Sequence, residues 1–107
     1  MYTLVKGDTA TQIQATLTRH DDGTAVDCAG GTVKMYFRKK GTTAVLSTLV
    51  AESFSERLQN GIALFSFDDN SLDVDAGVYE GEIEVKYVDG SVESVFEILN
   101  FRVRDDF

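Results

Sequence analysis

Residues that could do chemistry are few in this chain, and none has the neighbours its chemistry needs. His20 is the single histidine, and it stands beside Asp21 and Asp22 in a segment that reads as a turn. A His–Asp pair supplies two members of a nucleophilic triad, but the Gly-x-Ser-x-Gly elbow that would present a serine is missing. His20 therefore reads as a solvated loop residue. Cys28 is the single cysteine, with no basic residue beside it to lower its pKa, and it reads as a small buried apolar side chain. With no second cysteine an intrachain disulfide cannot form, which fits folding in a reducing cytoplasm. One histidine and one cysteine cannot furnish the four ligands of a structural zinc site.

Oxygen ligands are more plentiful. The run Asp68-Asp69-Asn70-Ser71-Leu72-Asp73-Val74-Asp75 is the strongest ion candidate, because oxygen-rich loops suit calcium. Counted from Asp69, residues Ser71, Asp73 and Asp75 fall on ligand positions and Glu80 falls twelfth. Val74 stands sixth, where an EF-hand loop needs glycine, so the run reads as a connection between sheets. Glu80, Glu82 and Glu84 share one face of a strand. Carboxylate pairs serve glycosidases, but this spacing makes the outer row of a half-buried strand, with Lys34 or Arg38 within cross-strand reach. Gly30-Gly31 precedes a strand without a Walker lysine. The expectation from these residues is no enzyme, no cofactor and no metal.

Composition narrows the partners. A net charge of -8 over 107 residues repels phosphate backbones and argues against nucleic acid. The basic cluster Arg38-Lys39-Lys40, followed by Gly41, reads as the solvated tip of a strand and turn. No apolar run approaches the roughly 18 residues that span a bilayer, so no membrane partner is expected. The start, Met1 to Lys6, has no basic stretch leading into an apolar one and reads as the beginning of a complete small gene product without a secretory signal. The length suits one domain, 1–107.

The elements that would position these groups are strands. Gln12 to Thr18 alternates, with Ile13, Ala15 and Leu17 on one side. Asp21-Asp22-Gly23-Thr24 follows as a hairpin turn. Thr32 to Lys39 alternates again, Val33, Met35 and Phe37 against Lys34, Tyr36 and Arg38. Ala44 to Phe54 reads as extended and less regular. Gly61 to Phe67 puts Ala63, Phe65 and Phe67 on one face, yet Ile62 and Leu64 make its other face apolar, the pattern of a central strand or a contact surface. Gly77 to Val88 is the clearest strand, and Asp89-Gly90 the strongest turn signal. Ser91 to Phe96 and Ile98 to Val103 complete the set. About seven or eight short antiparallel strands with frequent turns predict an all-β sandwich, with a closed barrel as the alternative.

Two resemblances refine this. Asp75-Ala76-Gly77-Val78-Tyr79 resembles the Asp-x-Gly-x-Tyr corner of immunoglobulin domains, where the tyrosine hydroxyl bonds back to the corner backbone. That likeness implies a structural corner at Asp75, Gly77 and Tyr79. An antibody domain would carry cysteine two residues after Tyr79; here it is Gly81, and tryptophan is absent. More extensively, Ala15-Thr16-Leu17-Thr18 through Asp22-Gly23-Thr24-Ala25-Val26-Asp27, then Gly31 to Lys39, Gly77 to Val85, and Tyr87-Val88-Asp89-Gly90-Ser91-Val92-Glu93 resemble, in order and spacing, the N-terminal immunoglobulin-like domain of phage baseplate upper proteins and related small tail proteins. The likeness runs from about Gln12 to Val103.

It implies an immunoglobulin-like β-sandwich that serves as a virion structural protein. Its role would be a tail or baseplate adaptor, made in the host cytoplasm, that mediates assembly or attachment of receptor-binding fibres. Its partners would be other tail and baseplate proteins and copies of itself, as a trimer or hexamer. Baseplate upper proteins continue into helical and fibre-binding regions, whereas this sequence ends at Phe107, so the likeness implies the attachment module alone or a small adaptor. No catalytic residue carries over. Ile62, Leu64 and Phe107 are the interface candidates, since exposed apolar groups mark contacts. The competing function is a ligand- or carbohydrate-binding sandwich, for which Tyr2, Tyr36 and Tyr87 are the available aromatics.

Overall fold

Alternation of apolar and polar residues sends one side of each strand into a shared core and leaves the other at the surface. The computed structural model describes residues 2–19, 21–67 and 71–105. Among them the chain forms β1 (Tyr2–Val5), β2 (Thr11–Thr16), β3 (Thr32–Lys39), β4 (Ser47–Val50), a short helix α1 (Ser55–Gln59), β5 (Ile62–Phe67), β6 (Gly77–Lys86) and β7 (Val92–Arg104). In β3 the sequence Val33, Met35, Phe37 is buried, and in β6 Tyr79, Gly81, Ile83 and Val85 are, as strand geometry requires of residues two apart.

Two sheets result. The larger has the order β1-β7-β6-β3-β4 and the smaller pairs β2 with β5. Every pairing is antiparallel except β1 with β7, which is parallel in the register Leu4↔Val103. The strands β7-β6-β3-β4 opposed by β2-β5 reproduce the G-F-C-C′ and B-E arrangement of an immunoglobulin-like sandwich. The sheets meet at one side, where the chain leaving β4 crosses over. The Ala51 N–H still donates to Val33 in the large sheet (2.9 Å), and the next one, from Glu52, donates to Leu64 in the small sheet (3.0 Å).

One cluster of buried side chains fills the space between. At its centre Phe37 meets Tyr79 and Phe101 of its own sheet and Phe67 of the small one, and Phe67 also meets Phe101, with the centroids of these ring pairs 5.2–5.8 Å apart. Such distances suit offset and edge-to-face ring contacts.

Four details differ from the sequence expectation. The sequence assigns no strand to residues 2–5, where β1 forms and pairs parallel, not antiparallel, to β7. The two C-terminal segments are one continuous strand, β7. Opposite it, a register shift between Ile83 and Val85 sets three residues of β7 (94–96) against the single residue Glu84 of β6. β5 lies in a two-stranded sheet and is not the centre of a broad one. The sequence assigns no element to residues 55–60, where α1 forms. A helix of five residues is too short for a 3.6-residue period to declare itself. Buried Leu58 anchors it, and Gly61 ends it at φ 72°. A side chain at Gly61 would run into the Leu17 carbonyl, so both the conformation and the close approach require glycine.

Candidate interaction surface

Gly77 opens β6 opposite Val103, and two residues later Tyr79 points inward, 2% exposed. Its ring stacks on Phe37 at 5.2 Å, and its hydroxyl donates to the Asp75 backbone carbonyl at 2.6 Å. That bond ties the loop before β6 to the strand it enters. Burial pushes the Tyr79 hydroxyl pKa up, and the Asp75 carboxylate adds to the effect. Beside this corner an open cleft of about 420 Å³ is lined by Lys39, Ala44, Leu46, Val74, Asp75 and Tyr79, among others. Its lining sets Ala44, Leu46, Val74 and the Tyr79 ring beside Lys39, Thr42, Asp73 and Asp75.

The outer face of the large sheet carries the acidic row. Register places Glu80 opposite Arg38, Glu82 opposite Tyr36 and Glu84 opposite Lys34. The Arg38 guanidinium hydrogen-bonds Glu82 and lies 3.5 Å, through Nε, from Glu80, while the Tyr36 hydroxyl donates to Glu84 at 3.1 Å. Arg38 is only 16% exposed in its side chain. Arg38 is therefore the central cation of a half-buried network, and only Lys39 and Lys40 match the solvated tip that the sequence predicts. The Glu82 hydrogen bond leads the effects that raise the Arg38 pKa. These carboxylates act as acceptors that hold β3 to β6 across the face.

Ile62 and Leu64 lie on the outward side of β5, half-buried and across from Thr16 and Gln14 of β2. Phe107, His20 and Asp68, Asp69 and Asn70 of the acidic run lie outside the described residues. Within the rest of that run Ser71 and Leu72 are buried, and the Leu72 carbonyl accepts from Gly7 at 2.9 Å. Among the described residues no group of three or more His, Cys, Asp or Glu is placed to hold a metal. Cys28 is buried, its thiol 3.7 Å from the Val26 carbonyl, and burial pushes its pKa up, with Asp27 and Glu93 adding to it. Of the aromatics weighed for sugar binding, Tyr36 and Tyr87 are half-buried and bonded to Glu84 and Glu93, and Tyr2 stacks on Phe101.

The exposed apolar side chains lie elsewhere. Among the described residues eight large ones are exposed, and Val45, Leu46, Val50 and Phe54 bracket the edge strand β4. The sequence marks this stretch, Ala44 to Phe54, as extended and less regular and puts its interface candidates elsewhere, at Ile62, Leu64 and Phe107. Its one signal was negative: residues 41–51 carry no charge in a chain with net charge -8.

No protein-family model and no curated protein matches the chain.

Proposed function

We propose that this chain is a non-enzymatic structural protein of a bacteriophage virion: a tail or baseplate adaptor that mediates assembly or attachment of receptor-binding fibres. The observation that carries this reading is where the apolar side chains left out of the core collect. Of the eight exposed among the described residues, four fall between residues 45 and 54: Val45 and Leu46 on the chain entering edge strand β4, Val50 in it and Phe54 beyond it. Contiguous exposed apolar surface marks a place to be covered. The rest of the scaffold suits a rigid joint. Of the four segments that resemble the baseplate upper domain, the last three lie on β3, β6 and the turn into β7, adjacent strands of one sheet. Their outer face is locked by the Arg38–Glu82 and Tyr36–Glu84 contacts.

The partners are other tail or baseplate proteins and further copies of the chain, in a trimer or hexamer. Mass spectrometry of purified, nuclease-treated virions of the phage encoding the chain tests this. The expected result is recovery with tail proteins, in a copy number that is a multiple of three. A chain found only in the soluble lysate, with none in the particle, refutes it.

A further inference from the structure

We propose that β4 is a homodimerisation edge: two copies of this chain pair β4 to β4, antiparallel, about a two-fold axis beside Leu49. Each five-stranded sheet is thereby extended into the other. This inference stands on the geometry of β4 and does not depend on the virion reading.

The backbone phase of β4 is fixed from Leu49 to Glu52, whereas just before the strand the Leu46 N–H breaks the alternation and donates to Phe37 of β3 at 2.8 Å. Met35 pairs with Leu49, and the Ala51 N–H donates to Val33, so Leu49 and Ala51 turn their backbone groups toward β3. Alternation then turns those of Thr48 and Val50 away from it. Glu52, the next in that series, donates to Leu64 of the other sheet at 3.0 Å, which agrees with the phase and ends the open edge. Thr48 and Val50 thus present a donor and an acceptor each at the edge of the sheet. Turned about Leu49, a second copy sets its Val50 opposite Thr48 and its Thr48 opposite Val50. Both are hydrogen-bonded antiparallel pairs, and each exchanges two N–H···O bonds. The edge is its own complement.

Charge and side chains favour the same occupant. Exposed edges are usually guarded by Lys, Pro or inward charges. This one has none, because residues 41–51 are uncharged. In a protein of net charge -8, a second copy meets least repulsion along such a stretch. Val45 and Leu46 are each 50% exposed and Val50 is 56% exposed, so pairing covers apolar surface as well. The other edges offer less. β1 exposes Tyr2, already stacked on Phe101, and β2 presents Gln12 and Gln14. A two-fold contact closes on itself. It can belong to a dimer or to a hexamer of dihedral symmetry, and never to a lone trimer.

Sedimentation velocity of the full chain tests the proposal, with Thr48→Pro and Val50→Lys as edge variants and Val88→Lys as a control at an exposed site away from β4. Proline at Thr48 deletes an N–H that β3 does not use, and edge strands tolerate it there. The native chain is expected to associate in pairs of its 11.8 kDa unit, and both edge variants to weaken that association at least tenfold, with circular dichroism unchanged. Val88→Lys should associate like the native chain. If Thr48→Pro fails to fold, Val50→Lys decides alone. A native chain that stays monomeric up to about 1 mM overturns the proposal and covers the alternative that the edge receives an extended segment of a different protein. An oligomer of any size indifferent to the folded edge variants, or weakened equally by Val88→Lys, also overturns it.

Discussion

Gly81 is the position at which this core should be most sensitive to a single methyl group. A Cβ there would lie 2.5 Å from Met35 Sδ, 2.8 Å from Met35 Cγ and 3.0 Å from Phe101 Cε2. Comfortable separations between carbon atoms are about 3.5–4.0 Å, so the overlap approaches 1 Å. Neither neighbour can swing into solvent, because Met35 and Phe101 are both 0% exposed. Overpacking of this kind costs about 1–3 kcal/mol. Glycine in a strand interior is itself unfavourable by roughly 0.5–1 kcal/mol relative to alanine, which offsets part of the cost. Gly81→Ala should therefore lose about 1–2 kcal/mol, or some 4–16 °C in Tm at roughly 4–8 °C per kcal/mol. Urea unfolding followed by circular dichroism should show a lower midpoint with an unchanged slope. A cycle with Met35→Ala isolates the cause. That change alone leaves a cavity worth about 2–5 kcal/mol, but in the double variant the new methyl enters the vacated space. The pair should be more stable than the sum of the two losses by about 1–2 kcal/mol. If Gly81→Ala is as stable as the native chain, or if the losses add within about 0.5 kcal/mol, the contact does not govern the site.

Other consequences follow from the same geometry. Tyr79→Phe keeps the ring on Phe37 but removes the 2.6 Å bond to the Asp75 carbonyl. It should cost about 1 kcal/mol in urea unfolding, and a variant equal to the native chain would mean that the corner bond is idle. Arg38→Met strips the cation from half-buried Glu80 and Glu82. Stability should fall at low salt, and the loss should shrink near 1 M NaCl, where the Debye length falls to about 3 Å; a loss that grows with salt contradicts the assignment. At alkaline pH the tyrosines should act together. Burial first, then the Glu93 hydrogen bond, pushes Tyr87 up to about 12, and burial also leads the upward shifts of Tyr36 and Tyr79. Because the folded pKa is the higher one, this contribution is complete below the ordinary value of 10.0 and is lost as pH rises from there toward 12. Ultraviolet titration of the native chain and of Tyr87→Phe should show the highest step disappear, and one shared midpoint at the ordinary value would refute it. Phe67→Ala removes the ring through which the small sheet touches Phe37 and Phe101 and should cost about 3–5 kcal/mol, measured in the same urea assay. A loss under about 1 kcal/mol would place the contact between the sheets elsewhere.

Much of the scaffold is legible in the residues because the features that carry it are local. The alternation of Tyr79, Gly81, Ile83 and Val85 names the buried side of β6 without reference to any other strand. Asp89-Gly90 specifies a turn by its own chemistry: Gly90 adopts φ 89° and the Asp89 side chain accepts from Ser91. The places where reading falters depend on non-local partners. Alternation says that Arg38 faces outward, but only the register of β3 against β6 shows that it lands between Glu80 and Glu82 and so leaves the solvent. The apolar outer residues Ile62 and Leu64 mark β5 as unusual without revealing that its sheet has two strands. The β4 edge is least legible of all. Ser47 to Val50 looks like any short strand, and its open side is a property of what does not lie next to it.

The sandwich also closes without the bond that usually joins such sheets. In antibody domains a disulfide between strands B and F packs on a tryptophan of strand C. Here the F-strand position is Gly81, and the C-strand residue Met35 fills the space its side chain would need. The contact between sheets shifts toward the corner, to the rings of Phe37, Phe67, Tyr79 and Phe101. Thioether and rings are indifferent to the redox potential that controls a disulfide. Cys28, the single thiol, is buried and held away from its reactive thiolate form by that burial. A core assembled this way holds no disulfide between the sheets whose reduction would weaken it. That property suits the proposed role, in which the protein folds inside a host cell and works in a particle outside it.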